Sequence, residues 1–535
     1  MSVVLDKMAK TAHTWNGAIS YSTTGTDKYG TILDYWSKAG TYQGRSQETV
    51  NLDMARIFAD DEKVALAVVF ALRLITRKPN VEGIGESQSG YGRKDEFCKA
   101  FNWLCDNRPQ LVANNLHLVP LFGCWKDFLQ PPLIDRTDVF TEAVYSLVKE
   151  NLGDDLLRKY LPTIYSSGKQ RSRKSKKVVR CHTERAIKLR DWAKGLCESL
   201  GISFADYRRL KSAGKAHIWQ QQMSDRDWDN INFKGIPGRA MLQHTSRKGK
   251  SDKKTVFERH GQVERLRQWV LDQPMVKFTG YPFELTRAAS SRKNPSIVQK
   301  LIYDKQFLSL IEPMKGHSLG NVLCALDTSS SMQSPVIPNV SAYDICISMG
   351  LVFSALNVGH FKDAVVAFND VSTLVTLKGE FCDRLHQIER MTTAWGSTDF
   401  QSVIDLLVQI RKQNPKIPLE EYPESILVVS DMQFNPAGKN KKTNYEMAMK
   451  KLREVGLGDV RLIWWFVNGK GTDFPSQMGD KGTYMIGGFD PNNLKALMGL
   501  NEQRKDFVAK ERKEETPLDG MMNFLQQPIF ALLQV

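Results

Sequence analysis

The sequence predicts a multidomain protein in which a domain built of α-helices is followed by a doubly wound α/β domain. Three observations lead to this prediction. The chain has 535 residues, which is long for a single hydrophobic core. Before residue 320, apolar residues recur at helical spacing and strand signals are few. After that point, short buried strand-like runs alternate with amphipathic helical segments, as in a parallel sheet covered by helices.

The N-terminal part, residues 1–315, shows its helical pattern most clearly in one short stretch. Six apolar residues recur there at helical spacing: Val64, Ala67, Val68, Ala71, Leu72 and Ile75. Consecutive helices joined by short polar connectors predict stacked helical hairpins, that is, an α-solenoid. No clean sequence period is visible, so we expect the helical repeats to be divergent.

The C-terminal part divides into an α/β domain at residues 316–510 and a final segment at 511–535. The final segment is apolar enough that we expect it to dock as a helix on the helical domain. Run 371–377 of the α/β domain alternates polar and apolar residues, which predicts an antiparallel edge strand. The runs that predict strands in this domain are 324–327, 364–368, 371–377, 425–430 and 462–467.

Carboxylate and hydroxyl side chains follow two of these strands and precede one helix. Asp327, Ser329 and Ser331 form an Asp-x-Ser-x-Ser run after the first strand. Thr398 precedes a helix, and Asp431 ends a buried apolar run. Open α/β sheets bind ligands at the carboxyl ends of their strands, and such oxygens suit Mg²⁺. The sequence therefore predicts a divalent metal site, although an Asp-x-Ser-x-Ser run by itself is also common at helix caps.

The order of these motifs, Asp-x-Ser-x-Ser, then Gly-x-Thr-Asp, then strand-Ser-Asp, resembles the metal-ion-dependent adhesion site of von Willebrand factor A domains. The resemblance implies a Rossmann-like A domain in which Asp327, Ser329, Ser331, Thr398 and Asp431 hold the ion, some directly and some through water. It also implies that the ion, which we expect to be Mg²⁺, offers an open position to an acidic side chain of a partner protein. The alternative is an ion that only rigidifies the loop.

Positive charge is concentrated in residues 156–300. The whole chain has a formal net charge of +15, and this block carries 33 Lys and Arg against 12 Asp and Glu, a net +21. Such asymmetry is typical of a surface that binds nucleic-acid phosphates, although a solvated basic loop is the alternative. The residues that we expect to contact the phosphates are Arg171, Arg173, Lys174, Lys176, Lys177, Arg180, Arg185 and Lys188, followed by Arg208, Arg209 and Lys211.

Two stretches of the helical part resemble a known module. Gly-Arg-Lys at 92–94 is followed by a helix-like stretch and then by Pro-x-x-Gly-x-Trp-x-Asp at 120–127. This pattern is similar to the helical module shared by telomerase-associated, Ro and vault proteins, the TROVE module. A helical module followed by an A domain is the order found in Ro ribonucleoproteins. The resemblance implies a ring of HEAT-like repeats closed by the A domain, with small noncoding RNA on its outer surface and a single-stranded RNA end in a basic central hole.

We therefore expect a Ro-like RNA-binding protein that is not an enzyme, with a protein partner such as a ribonuclease at the metal site. One alternative is a metal-dependent protein-interaction or structural component, encoded by a cell or a phage, that binds no specific RNA. Another is an enzyme that uses the metal for phosphoryl chemistry. Such an enzyme would need a further carboxylate beside Asp327 and Asp431. Asp370 and Asp399 are the candidates by their position along the strands.

Other features of the sequence bear on where the protein is found. No apolar run is long enough to cross a membrane, and the first residues lack the pattern of a secretory signal. The eight cysteines are scattered and form no Cys-x-x-Cys motif, which indicates buried thiols in a reducing compartment. We therefore expect a cytoplasmic protein. We also expect a monomer, because no sequence feature indicates an oligomer.

Overall fold

A computed structural model gives the fold of this chain, and it confirms a helical N-terminal domain followed by an α/β domain. Among the residues that it describes, no helix is long and apolar enough to cross a membrane. The described residues are 11–127, 140–164, 168–171, 178–181, 184–213, 218–315, 321–391, 395–438, 442–471, 473–498 and 514–535.

The described chain before residue 320 is mainly helical. Polar caps start several of the helices: the Ser46 side chain accepts a hydrogen bond from the backbone N–H of Thr49, and the Asp61 side chain accepts one from that of Val64. The helices are α1 (Gly30–Ala39), α2 (Gln47–Asp60), α3 (Glu62–Arg73), α4 (Lys94–Asn107), α5 (Pro109–Asn115), α6 (Val119–Phe122), α7 (Thr141–Glu150), α8 (Asp155–Tyr160), α9 (Glu184–Leu200), α10 (Phe204–Ser212), α11 (Ile218–Ser224), α12 (Gly238–Ser246), α13 (Val256–Arg259), α14 (Val263–Asp272), α15 (Pro282–Ala289) and α16 (Ile297–Ile311).

Helix α3 lies at the centre of the helical domain and is buried on nearly all sides. It packs against α2 and α4. The ring of Phe70 lies 4.9 to 6.3 Å, between ring centroids, from the rings of Phe97, Phe101 and Phe122. The helical spacing seen in the sequence therefore marks a core helix. The helix ends before Ile75, whose side chain is 47% exposed.

Two antiparallel β-hairpins accompany these helices, and the sequence did not predict them. The first consists of β1 (Thr11–His13) and β2 (Ile19–Tyr21), and the second of β3 (Gly168–Arg171) and β4 (Val178–Cys181). Strands of three or four residues are too short to show a clear period of two. The first hairpin lies against the α/β domain, because the backbone of Tyr21 forms an isolated antiparallel bridge with Phe474.

The α/β domain is built on a six-stranded sheet in the order β12-β11-β10-β5-β8-β9. All neighbouring strands are parallel except β8 and β9, so the predicted antiparallel edge strand is confirmed. Strand β12 was not predicted. The elements of the domain are β5 (Val322–Asp327), β6 (Pro335–Ile337), β7 (Val340–Ser341), α17 (Ala342–Leu356), β8 (Ala364–Phe368), β9 (Ser372–Thr376), α18 (Phe381–Met391), α19 (Gln401–Gln413), β10 (Ser425–Ser430), α20 (Asn444–Glu454), β11 (Arg461–Phe466), β12 (Thr483–Gly487), α21 (Asn493–Leu497) and α22 (Pro517–Leu525).

The strand order places the carboxyl ends of β5 and β10 side by side. After β5 the chain forms β8 on one side of it, and later it forms β10 on the other side. Every residue of both strands is buried, as expected for parallel strands covered on two faces. Leu326 of β5 pairs in register with Val429 of β10. Asp327 and Asp431 therefore emerge close together at a topological switch point, where open α/β sheets bind ligands.

Buried polar contacts join the two domains. The ammonium group of Lys38, on α1, donates hydrogen bonds of 2.8 Å to the carbonyl oxygens of Gly471 and Asp473. Burial lowers the pKa of Lys38 to about 8. The C-terminal residues contact the helical domain too, because the Gln527 side chain forms hydrogen bonds with both backbone groups of Ser89. Helix α22 packs against α1 and α3.

Candidate metal centre

Asp327 is the last residue of β5, and its carboxylate is fully buried. One carboxylate oxygen accepts a hydrogen bond of 2.9 Å from the backbone N–H of Ser329, and the other accepts one from the hydroxyl of Ser430. These contacts hold the side chain at the base of the loop that follows the strand. Asp327 is therefore fixed by the end of the neighbouring strand β10 as well as by its own loop.

Ser329 and Ser331 bring their hydroxyl groups together above Asp327. Their Oγ atoms lie 3.1 Å apart. Ser329 is buried and Ser331 is half-buried. The loop is held against the next part of the site, since the backbone N–H of Ser330 donates a 3.1 Å hydrogen bond to the carbonyl oxygen of Gly396. The Asp-x-Ser-x-Ser run thus forms one compact group of oxygen atoms.

Thr398 and Asp431 come from two further loops at the same edge of the sheet. Thr398 is only 1% exposed, and its carbonyl oxygen accepts a 2.8 Å hydrogen bond from the backbone N–H of Asn435. The nearby hydroxyl of Ser331 favours the ionised form of the Asp431 carboxylate and so opposes the rise of its pKa. Asp431 is followed by Met432 in a left-handed backbone conformation, with φ of 64°. A residue with a side chain seldom adopts this conformation, and such strain is common at functional sites.

The two carboxylates of the site strongly influence one another. Burial and the nearby charge of Asp431 raise the pKa of Asp327 to about 7. Burial raises the pKa of Asp431 too, and the charge of Asp473 adds to this effect. The main influences on both pKa values include no Lys or Arg side chain. A divalent cation between them would favour the ionised form of both groups.

The residues of the site fit a hard divalent cation. Two carboxylates and three hydroxyls supply only oxygen donors, which Mg²⁺ prefers. In octahedral coordination at about 2.1 Å, neighbouring oxygen atoms lie about 3 Å apart. The distance of 3.1 Å between the Ser329 and Ser331 hydroxyls agrees with this spacing. Among the described residues, no three His, Cys, Asp or Glu side chains form a metal-binding group, so a site here depends on its hydroxyls.

The two additional carboxylates considered from the sequence have other roles in the fold. Asp370 accepts a 3.0 Å hydrogen bond from the backbone N–H of Ser397 and another from the hydroxyl of the same residue. The backbone carbonyl oxygen of Asp399 accepts hydrogen bonds from the backbone N–H and the hydroxyl of Ser402 at the start of α19. Burial raises the pKa of the Asp399 carboxyl group. Both residues therefore shape the loop that carries Thr398.

Sequence reasoning missed Asn16, which lies at the tip of the first hairpin and touches the site. Its amide group donates a 2.6 Å hydrogen bond to the carbonyl oxygen of Gln433 and one of 3.3 Å to the hydroxyl of Thr398. A signal was present, because an Asn-Gly pair between short apolar runs is typical of a hairpin turn. Asn16 is followed by Gly17, whose φ is 87°.

The structure describes only part of the basic block. Arg173, Lys174, Lys176 and Lys177 lie outside the described residues. Arg171 is on β3, Arg180 is on β4 and Arg185 is on α9, but their side chains are outside the described part. Because β3 and β4 pair as an antiparallel hairpin, the backbone places Arg171 and Arg180 on adjacent strands.

The remaining predicted RNA contacts lie on α9 and α10. Lys188, Arg208 and Arg209 are exposed. The Lys188 ammonium group is 3.4 Å from the Glu184 carboxylate, and the Arg209 guanidinium is 3.1 Å from that of Asp206. Lys211 donates hydrogen bonds to two backbone carbonyl oxygens near the end of α8, and burial lowers its pKa. Lys211 thus also has a structural role that the sequence did not indicate.

Two comparisons with known proteins found matches, and one found none. Residues 321–527 match a family model described as a domain of unknown function, DUF7788. No curated protein matches the chain. Among solved structures, the chain is similar to the Ro (RSR) protein of Deinococcus radiodurans, with 10% sequence identity, 94% of each chain covered and a TM-score of 0.32.

Proposed function

We propose that this chain is a Ro-like RNA-binding protein whose A domain carries a divalent metal site for a protein partner. The charge distribution is the observation that carries the RNA part of the proposal. Residues 156–300 have a net charge of +21, while the chain as a whole has +15. So many Lys and Arg side chains would neutralise RNA phosphates and give affinity for RNA with little sequence preference. The Gly-Arg-Lys and Pro-x-x-Gly-x-Trp-x-Asp patterns of the helical domain support the same proposal.

The expected ligand is a small structured noncoding RNA, with a single-stranded RNA end as a second element of recognition. Proteins recognise RNA largely by shape, by phosphate contacts and by unpaired ends. The β3–β4 hairpin and the exposed side chains of α9 and α10 provide positive groups on one continuous stretch of the chain. The proposal assigns no catalytic residue.

At the metal site, Asp327, Ser329, Ser331, Thr398 and Asp431 would hold Mg²⁺. The ion, when bound, supplies a positive charge and a coordination position that a carboxylate of a partner protein can occupy. A ribonuclease that acts on the bound RNA is one partner of this kind. The oxygen-only donor set, the 3.1 Å spacing of the serine hydroxyls and the raised pKa of Asp327 support this assignment.

Ultraviolet crosslinking in the native host, followed by sequencing of the bound RNA, tests the RNA part. The test variant changes five basic residues to Glu: Arg171, Arg173, Lys174, Lys176 and Lys177. A matched control changes five exposed lysines of the α/β domain to Glu: Lys362, Lys378, Lys412, Lys416 and Lys442. We expect discrete small RNAs with the wild type and the control, and none with the test variant.

Two other outcomes would contradict the proposal. Equal RNA recovery by the wild type and the test variant would show that the basic residues at 171–177 do not bind the RNA. Recovery of no RNA above background by the wild type would favour the alternative, a metal-dependent protein-interaction component without a specific RNA. In that case, Mg²⁺-dependent protein partners of the Asp327 site would be sought in the same host.

A further inference from the structure

The first β-hairpin reaches the metal centre with its tip, residues 14–17. Strands β1 and β2 are in register from Thr11 with Tyr21 to His13 with Ile19. The turn is closed by a 2.9 Å hydrogen bond from the backbone N–H of Gly17 to the carbonyl oxygen of Thr14. At the other end of the hairpin, two backbone hydrogen bonds of 2.8 and 2.9 Å join Tyr21 to Phe474 of the α/β domain. The hairpin is therefore anchored at its base and extends toward the site.

The tip contacts the site through hydrogen bonds. The Thr14 hydroxyl donates a 2.6 Å hydrogen bond to the carbonyl oxygen of Phe434, and the backbone N–H of Trp15 donates one of 2.6 Å to the Gln433 side chain. The Asn16 amide donates to the Gln433 carbonyl oxygen and to the Thr398 hydroxyl. Trp15 itself is 92% exposed and makes little apolar contact. Thr14 is buried, whereas Trp15 and Asn16 are exposed. Water can replace the contacts of the two exposed residues at modest cost, so they can leave the site while Thr14 and the hairpin base stay in place.

The Asn16 amide is close enough to one proposed ligand of the ion to stand where a further ligand could lie. Its amide nitrogen lies 3.3 Å from the hydroxyl oxygen of Thr398. Neighbouring ligand atoms around Mg²⁺ are about 3 Å apart. Yet an amide N–H cannot bind a cation, and both atoms that it faces are oxygen acceptors. In this state Asn16 therefore covers the site without supplying a ligand.

We propose that the hairpin tip occupies the place of a partner at the metal site, and that the partner is a protein turn that presents an aspartate where Asn16 now lies. This inference rests on the proposed metal site. Aspartate has the shape of asparagine but carries two carboxylate oxygens, so a turn of the same form would bring an anionic ligand to the ion. Such a partner must displace the tip, and the chain thus closes its own site until a turn with a stronger ligand arrives.

The identity of residue 16 fits this role. An aspartate at this position would face the Gln433 carbonyl oxygen, which lies 2.6 Å from the present amide nitrogen, and would add charge near Asp431. Without a cation these contacts would be repulsive, so the tip would open. With a cation bound, the new carboxylate would become a ligand and the tip would close. The substitution Asn16→Asp therefore converts the cover into a metal-dependent ligand.

The experiment uses the full chain and four variants: Asn16→Asp, Asn16→Ala, His13→Asp and Asp327→Ala. Mn²⁺ affinity is measured by electron paramagnetic resonance, and hydrogen exchange of the hairpin amides is followed in EDTA and in Mg²⁺. We expect Asn16→Asp to bind Mn²⁺ about tenfold more tightly than the wild type, because each added carboxylate strengthens such sites. Its hairpin amides should be protected in Mg²⁺ and unprotected in EDTA. Asn16→Ala should lose protection in both conditions.

His13→Asp is the matched control, because it adds the same charge to an exposed position of the same hairpin. It should leave Mn²⁺ affinity within about twofold of the wild type, since an exposed charge on the strand, and not at the residue that contacts Thr398, acts weakly through solvent. If Asn16→Asp also stays within about twofold and its hairpin protection does not depend on Mg²⁺, the inference is wrong, although a metal site that Asp327→Ala abolishes would still stand. If neither the wild type nor Asn16→Asp binds Mn²⁺, the proposed metal site and the inference both fail.

Discussion

The proposed metal centre and the basic block would bind their expected ligands by different physical means. The metal centre joins residues from distant parts of the chain, Asp327, Thr398 and Asp431, at the buried edge of a rigid sheet. The basic block is a continuous stretch of the chain, and Lys188, Arg208 and Arg209 within it are solvent-exposed. Geometry therefore determines the first site, whereas the amount of charge determines the second. Single substitutions should disable the metal centre, but only multiple substitutions should disable the RNA surface.

The largest expected effect of a single change is at Asp327. Replacement by alanine removes one of the two carboxylates of the centre, and we expect Mg²⁺ affinity to fall about 100-fold or more. Isothermal titration calorimetry of the full chain measures this. Asp370→Ala is the control, because Asp370 is an exposed carboxylate in a neighbouring loop that binds Ser397. Equal losses in the two variants would mean that loop folding, and not ligation, explains the effect.

The basic block should respond gradually to substitution and strongly to salt. Changing Arg171, Arg173, Lys174, Lys176 and Lys177 to Glu removes up to five phosphate contacts. At physiological salt we expect RNA affinity to fall about 100-fold, and the slope of log affinity against log salt to decrease by about 3 to 4. Filter binding at several salt concentrations measures both quantities. Any one of the five substitutions made singly should change affinity by less than about fivefold. A single change that abolished binding would mean that this surface, too, depends on geometry.

A pH titration separates the two regions further. The pKa of Asp327 is raised to about 7 in the metal-free centre, and a protonated carboxyl group is a poor metal ligand. Mg²⁺ affinity should therefore fall as the pH decreases below 7, by about tenfold for each pH unit, and should level off above 8. RNA binding through Lys and Arg side chains should be nearly constant over the same range, because these groups stay protonated. A pH-independent Mg²⁺ affinity would argue against Asp327 as a ligand.

The residues around the metal centre differ in how far their positions could be predicted from the sequence. Asp327 and Asp431 could be recognised because each ends a buried apolar strand, and parallel strands bring their ends together. Asn16 could not, since its contact with Thr398 spans 382 residues and depends on how the hairpin docks. The Asn-Gly turn could have revealed the hairpin but not its position.

Two further features that the sequence did not predict have local causes. Strand β12 was missed because Thr483–Gly487 ends in a glycine and is followed by another, and glycine is rare within strands. The structural role of Lys211 was missed because a basic residue in a basic block reads as a surface charge, whereas its ammonium group binds two backbone carbonyl oxygens. Counting charges thus predicts a basic surface, but it does not show which of the basic side chains form hydrogen bonds within the fold.

The smallest expected effect, at Thr398, tests whether ligation or packing determines the metal centre. Thr398→Ala removes a proposed hydroxyl ligand, and we expect Mg²⁺ affinity to fall about tenfold. Thr398→Ser keeps the hydroxyl and should stay within about threefold of the wild type. Both variants lose a buried methyl group, which costs about 1 kcal/mol of stability in EDTA. Calorimetry and thermal unfolding in EDTA separate the two quantities. If serine and alanine weaken Mg²⁺ binding equally, the Thr398 methyl group shapes the loop and its hydroxyl is not a ligand.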